Sequence, residues 1–197
     1  QIHTPGNTKT KGVALLFRRD LHIKVMDRYI GAGGREVGAK IRIGAQELTV
    51  LSIYTPNDQE EFFNTIMPVL ATFSGSLLVL GGDLNAVLDP ELDRSAARFG
   101  TPETPMSLKQ GMDNMSLVDI WRETHGLERD YTFFSHVHKI NSRIYLFLVS
   151  APLRALLMEV TIVTAALLEH APVTLRLDLS GISSSPSQQW YINEVAF

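Results

Sequence analysis

Leu77-Leu78-Val79-Leu80-Gly81-Gly82-Asp83-Leu84-Asn85 is the stretch on which the fold turns. Four apolar residues, a glycine pair and two polar side chains read as a buried strand running into a tight turn. Val and Leu on both faces suit a strand covered on two sides. Gly81 and Gly82 permit close approach of backbone or ligand. Asp83 and Asn85 stand two apart, so continued strand geometry aims both at one face. A carboxylate beside a carboxamide can hold a hard cation or a phosphate and can place a water. The same two residues also favour bends, bonding their own backbone, so spacing alone leaves an ordinary strand-to-loop turn open.

Upstream of this turn, residues 12–18, 22–30, 35–43 and 47–54 read as strands of an antiparallel meander, with a turn at Gly31-Ala32-Gly33-Gly34. Asp58 and Glu61 are spaced as a capping box. The segment behind them carries Phe62, Phe63, Ile66, Met67, Leu70 and Phe73 at helical spacing, with Pro68 expected to bend or end the helix. Downstream, 86–105 holds Pro90, Pro102 and Pro105 and reads as a long loop. Its charges, Asp89, Glu91, Asp93, Arg94 and Arg98, are expected in solvent. Residues 107–121 read as one or two helices, 131–134 and 143–149 as strands, 152–158 as a short helix, and 159–163 and 173–179 as closing strands. A Gly/Ser linker follows at 181–187. This order predicts sheet layers with helices outside.

The 197 residues, 45% hydrophobic, suffice for one sizeable core. The most apolar run, 145–168, is broken by Pro152, Arg154 and Glu159, which argues against a membrane span. With no Cys, disulfides and thiolate metal sites are excluded. The net charge of −3 is uneven, because residues 1–43 carry nine of the 18 Lys and Arg and are +6 while the remainder is −9. The basic end can meet a phosphate backbone or form the solvated face of a sheet.

Seven short motifs stand out along the chain: Ser52-Ile53-Tyr54-Thr55-Pro56-Asn57, Gly82-Asp83-Leu84-Asn85, Asp93-Arg94-Ser95, Leu117-Val118-Asp119-Ile120-Trp121-Arg122, Tyr131-Thr132-Phe133-Phe134-Ser135, Ser142-Arg143-Ile144 and Glu169-His170-Ala171-Pro172. In combination they resemble the endonuclease/exonuclease/phosphatase family, and within it the apurinic-endonuclease-like domain of LINE-type (non-LTR) retrotransposon polyproteins. Their order matches the family's, over roughly residues 12–179. The resemblance implies a four-layer α/β sandwich, two mixed sheets face to face with helices outside. It also implies phosphodiester cleavage of DNA assisted by Mg²⁺, a nuclear site of action, and a downstream reverse transcriptase domain in the parent polyprotein. Asp83 would position or deprotonate the attacking water, Asn85 would bond to it or to a phosphate oxygen, and Tyr54 would sit beside the phosphate. His170 would stabilise charge on the phosphoryl oxygens, and Thr132 and Arg143 would contact the substrate.

The chain departs from that pattern in three places. The family's first strand, which carries an Asn, and its metal-binding Glu both precede the point matched by the start of this sequence; Glu36 and Glu47 match neither. Residues 1–180 therefore read as a domain lacking its N-terminal core strand, and 181–197 as a linker and the start of a connector. Where the family has an Asp that orients the histidine, this chain has Tyr145, and loss of such a carboxylate can cost about 10⁴-fold in rate. The family's Ser-Asp-His reads Leu168-Glu169-His170, leaving Asp83 and Glu169 as candidate metal ligands. The expectation is a divalent-metal-dependent DNA-nicking domain with impaired catalysis. The alternatives are a non-catalytic relic that binds nucleic acid weakly and, further off, a lipid phosphodiesterase of the same fold. His136 and His138 could chelate a metal from one strand face, but a loop position is expected for them.

Overall fold

The computed structural model describes residues 1–5, 12–73, 75–96, 104–163, 169–179 and 190–193. The largest sheet has six strands in the order β3 (Ile23–Ile30), β4 (Glu36–Ile43), β5 (Gln46–Tyr54), β6 (Leu77–Asp83), β10 (Tyr145–Ser150) and β7 (Leu117–Asp119). It is mixed: β5 and β6 run parallel, and every other neighbouring pair is antiparallel. The parallel pair requires a crossover, supplied by α1 (Gln59–Ala71). A bulge in β3 places Met26 as an extra residue between Val25 and Asp27.

Side-chain alternation splits this sheet's contacts into two cores. On one face Leu51, Ile53, Leu78, Leu80, Leu146 and Leu148 pack against Phe63, Ile66, Met67 and Leu70 of α1 and Leu108 of α2 (Met106–Asn114). On the other, Val37, Ala39, Ile41, Val50, Val79, Phe147 and Val149 meet smaller β elements. These are the ribbon β1 (Ile2–Pro5) with β2 (Gly12–Leu15), and the sheet β11 (Leu157–Ile162), β12 (Val173–Leu177) and β13 (Trp190–Asn193). A hairpin of β8 (Phe133–Ser135) and β9 (Ile140–Ser142) stands beside the large sheet's end. The architecture is a layered α/β sandwich of the type expected; of the expected four layers the described residues form a helical layer, a large mixed sheet and an opposing β layer, whose strands pair antiparallel rather than mixed.

Local expectations fared unevenly. The segment after residue 12 pairs with β1 in its own ribbon, so the meander comprises β3, β4 and β5 only. Asp58 makes no side-chain cap, and α1 continues through Pro68 to Ala71. The 107–121 segment splits into α2, the three-residue strand β7 and α3 (Ile120–His125). The short helix is a 3₁₀ turn, Ala151–Leu156, and the chain is already extended at Leu157. The linker at 181–187 lies outside the described residues, while 190–193 add a third strand to β12.

Candidate functional site

Because β5 and β6 are parallel, their carboxyl ends coincide, and antiparallel β10 begins at the same level. Register therefore aligns Tyr54, Asp83 and Tyr145 as one row across three adjacent strands. Counting back by twos reaches Val50, Val79 and Phe147, so the row lies on the face toward the second β layer, at its rim. Close approach here depends on Gly82, which has φ +142°; a Cβ on it would lie 2.0 Å from the Ile53 carbonyl oxygen. Main-chain bonds fix the row's exit: Thr55 N–H donates to the Asp83 carbonyl at 2.8 Å and Leu84 N–H to the Ile144 carbonyl at 3.0 Å.

Burial pushes the Asp83 carboxyl up to about 6, partly offset by the Asn85 N–H that donates to its Oδ1 at 2.8 Å. Asn85 follows in the left-handed region, φ 46°, a conformation Asn tolerates better than most residues. The strand geometry that would have aligned its side chain with Asp83 has ended. Its Nδ2 instead donates to Asn57 Oδ1 at 3.4 Å, and its carbonyl accepts from Gln59 Nε2. Tyr54 is 37% exposed. The Arg35 guanidinium lies 5.0 Å over its ring and donates to its carbonyl at 3.4 Å.

His170 reaches the row from far along the chain. The backbone around it is pinned to the β8–β9 hairpin: Phe134 N–H donates to the Glu169 carbonyl at 2.9 Å, and Ala171 N–H to the Thr132 carbonyl at 2.8 Å. Its ring contacts Phe133, 5.0 Å away between centroids, and Tyr145, 5.6 Å away and nearly parallel at 11°. The Tyr145 hydroxyl hydrogen-bonds to His170 Nδ1. One strand-end site therefore consists of the row Tyr54, Asp83 and Tyr145, with Asn85 bonded to Asp83 through its backbone N–H and His170 bonded to Tyr145.

Thr132 and Arg143, expected to contact substrate, are instead buried beneath the row. Thr132 is fully buried, and its Oγ1 accepts from the N–H groups of Ile144 at 2.9 Å and Tyr145 at 3.0 Å, fixing the start of β10. Arg143 is 1% exposed. It donates from Nε and one Nη to Asp93, both at 2.8 Å, and to Asp119 at 3.1 and 2.5 Å. Burial opposes its charge, but Asp119 and Asp93 outweigh that and raise its pKa. Asp93 is not the solvated loop charge expected; it is wholly buried and also receives Arg122.

Glu169 faces His136, 3.3 Å away, at the exposed tip of the hairpin, where His138 also lies in a turn. Among the described residues no cluster of three or more His, Asp or Glu could hold a metal ion. A divalent cation would find Asp83 as the row's carboxylate with neutral oxygens of Asn85 and Asn57 nearby. That donor set does not amount to a cation site by itself, because hard divalent ions take six or more oxygen ligands, usually with several carboxylates or phosphates.

Two neighbours of the row carried no usable signal in the sequence. Arg35 follows a glycine turn as any surface arginine can, and Asn57 sits within a quoted motif but had no assigned role. Of the basic N-terminal charges, Lys40 and Arg42 are paired with Glu47 at 2.8 and 2.5 Å, and Arg18 with Asp20. Lys24 and Arg28 on β3 are exposed.

No protein-family model matches the sequence. Solved structures do resemble the fold. An AP endonuclease, LMAP, from Leishmania major aligns with TM-score 0.63 at 18% identity, over 74% of this chain and 56% of its own. A 3′-5′ exonuclease, NExo, from Neisseria meningitidis aligns with TM-score 0.64 at 22% identity, over 77% of this chain and 71% of its own. An AP endonuclease from Archaeoglobus fulgidus aligns with TM-score 0.56 at 18% identity, over 79% and 72%. A 3′ phosphatase, NExo, from Neisseria, bound to a product DNA hairpin, aligns with TM-score 0.59 at 22% identity, over 79% and 72%. The fold is thus that of AP endonucleases and related exonucleases and phosphatases, and this chain spans little more than half the length of the Leishmania protein.

Proposed function

We propose that this strand-end row is a phosphodiester site of DNA-nicking type, of retrotransposon origin, with catalysis impaired in this chain. The observation carrying the proposal is the alignment of Tyr54, Asp83 and Tyr145 across three strands with His170 bonded to the last. Phosphoryl transfer is chiefly positioning and charge stabilisation, so phenol, carboxamide and imidazole groups at one strand end suit a phosphate oxygen. Asp83, with its carboxyl raised to about 6, is partly protonated just below neutral pH and can accept a proton from a water above it. The proposed impairment rests on Tyr145 standing where an orienting carboxylate belongs, and on the pairing of Glu169 with His136. The Neisseria 3′ phosphatase of this fold holds a product DNA hairpin, which supports the substrate class.

The second reading, non-catalytic binding of nucleic acid, draws on the single carboxylate in the row and on exposed Lys24 and Arg28. Purified chain incubated with supercoiled plasmid and Mg²⁺ separates the two. Slow nicking that Asp83→Ala abolishes supports the nuclease. Salt-sensitive DNA binding that Asp83→Ala leaves unchanged, with no nicking, supports the second. Neither nicking nor low-salt binding would remove both.

A further inference from the structure

We propose that Tyr145 is a positioning residue that sets the tautomer of His170, fixing its neutral proton on Nε2. The inference rests on reading the strand-end row as a phosphodiester site. Tyr145 Oη and His170 Nδ1 share one hydrogen bond, and the two rings lie nearly parallel, 11° apart, with the phenol packed against the inter-sheet core. The contact has two forms. Either the phenol donates to a bare Nδ1, or a protonated Nδ1 donates to the phenol oxygen. A phenol is a much stronger acid than the N–H of a neutral imidazole, so the first form matches donor to acceptor better. The proton of the neutral ring then resides on Nε2, the nitrogen that Tyr145 does not occupy.

The consequence is chemical. An aspartate at position 145 can only accept, so it selects Nδ1–H and leaves Nε2 as a base or, once protonated, an imidazolium. Tyrosine selects the opposite arrangement, in which His170 is a neutral hydrogen-bond donor. Such a donor suits a phosphate oxygen, already anionic in the ground state, and cannot take up a proton at Nε2. The backbone supports the geometry from both partners. Thr132 Oγ1 fixes the N–H groups of Ile144 and Tyr145, and the Thr132 carbonyl holds Ala171 next to His170. One residue thereby sets the height of phenol and imidazole together.

Long-range proton–nitrogen correlation spectra of the nitrogen-15-labelled chain, taken with His170 neutral, read the tautomer directly. The expected result is a bare Nδ1 and a protonated Nε2 in the parent chain, with the Nε2–H form favoured by roughly tenfold more than in Tyr145→Phe, the weight of one ordinary hydrogen bond. Tyr145→Asp should invert the preference to Nδ1–H. A protonated Nδ1 in the parent chain overturns the proposal even if neither variant folds, and so does a tautomer ratio unchanged in Tyr145→Phe. Loss of the spectral pattern with DNA binding intact condemns this inference alone. Failure of the parent chain to bind or nick DNA, with the pattern present, condemns the phosphodiester reading and leaves the tautomer assignment standing.

Discussion

Arg143 and Tyr145 are two residues apart and stand in opposite electrostatic surroundings. Around Arg143 every charge is answered: Asp93 and Asp119 hold its guanidinium, Arg122 joins Asp93, and both guanidiniums lie about 5 Å from the Trp121 ring, at 4.9 and 5.0 Å. Beside Tyr145, Asp83 forms no ion pair among the described residues and receives a single backbone N–H. The first cluster spends its hydrogen bonds on fixing the loop of Asp93 to β7 and β10, where a buried charge is tolerable because its partners are complete. The second keeps a carboxylate partly desolvated and unanswered, a pattern that belongs to sites where a ligand supplies the missing partner.

The sharpest way to break this contrast is to remove an answer from the first cluster. Asp93→Ala leaves Arg143 and Arg122 facing an incomplete set of carboxylates, and a loss of about 3–5 kcal/mol is expected in urea unfolding, enough to make the chain insoluble. Thr132→Val tests the strut between the regions. It strips the acceptor from two buried N–H groups and should cost about 2 kcal/mol, with Thr132→Ser restoring most of it.

Asp83→Asn should act with the opposite sign. A carboxyl raised by burial contributes stability below the ordinary carboxylate range, where it is protonated folded and unfolded. That contribution is lost as pH rises toward about 6. At pH 7 the ionised group therefore costs on the order of 2 kcal/mol, which the amide does not. Thermal melts should show the variant more stable than the parent chain at pH 7 and nearly equal to it at pH 4. A variant destabilised equally at both values would mean that Asp83 is answered after all. The smallest effect belongs to Glu169→Gln: its pair with His136 is exposed on both sides, and a change of about 0.5 kcal/mol or less is expected.

How far the sequence carried this picture depended on the range of each interaction. The Leu77–Asn85 turn was legible because an apolar run, two glycines and an Asp are local signals, and β6 ends where they say. The place of His170 was legible only through motif order, since nothing near residue 170 encodes its contact with Tyr145. Arg143 misled for a physical reason: arginine is rarely buried without partners, and its partners lie 24 and 50 residues away. Asp93 misled identically from the other end. β7 escaped notice because three residues are too few to show alternation, and its existence depends on pairing with β10. Tyr145 read as a defect against the family pattern, and only coordinates show that its hydroxyl meets the imidazole.

The bulge at Met26 has a consequence for association between molecules. Among the described residues β3 is an outer strand of the six-stranded sheet, and its eight residues are enough to offer that outer side to a strand from another copy. The extra residue breaks the regular spacing of donors and acceptors midway, and Lys24, Asp27 and Arg28 flank the break. At the opposite margin β7 has three residues, too short to template anything. Deleting Met26 would restore an uninterrupted ladder, and the shortened chain should form β-rich aggregates at concentrations where the parent chain stays dispersed.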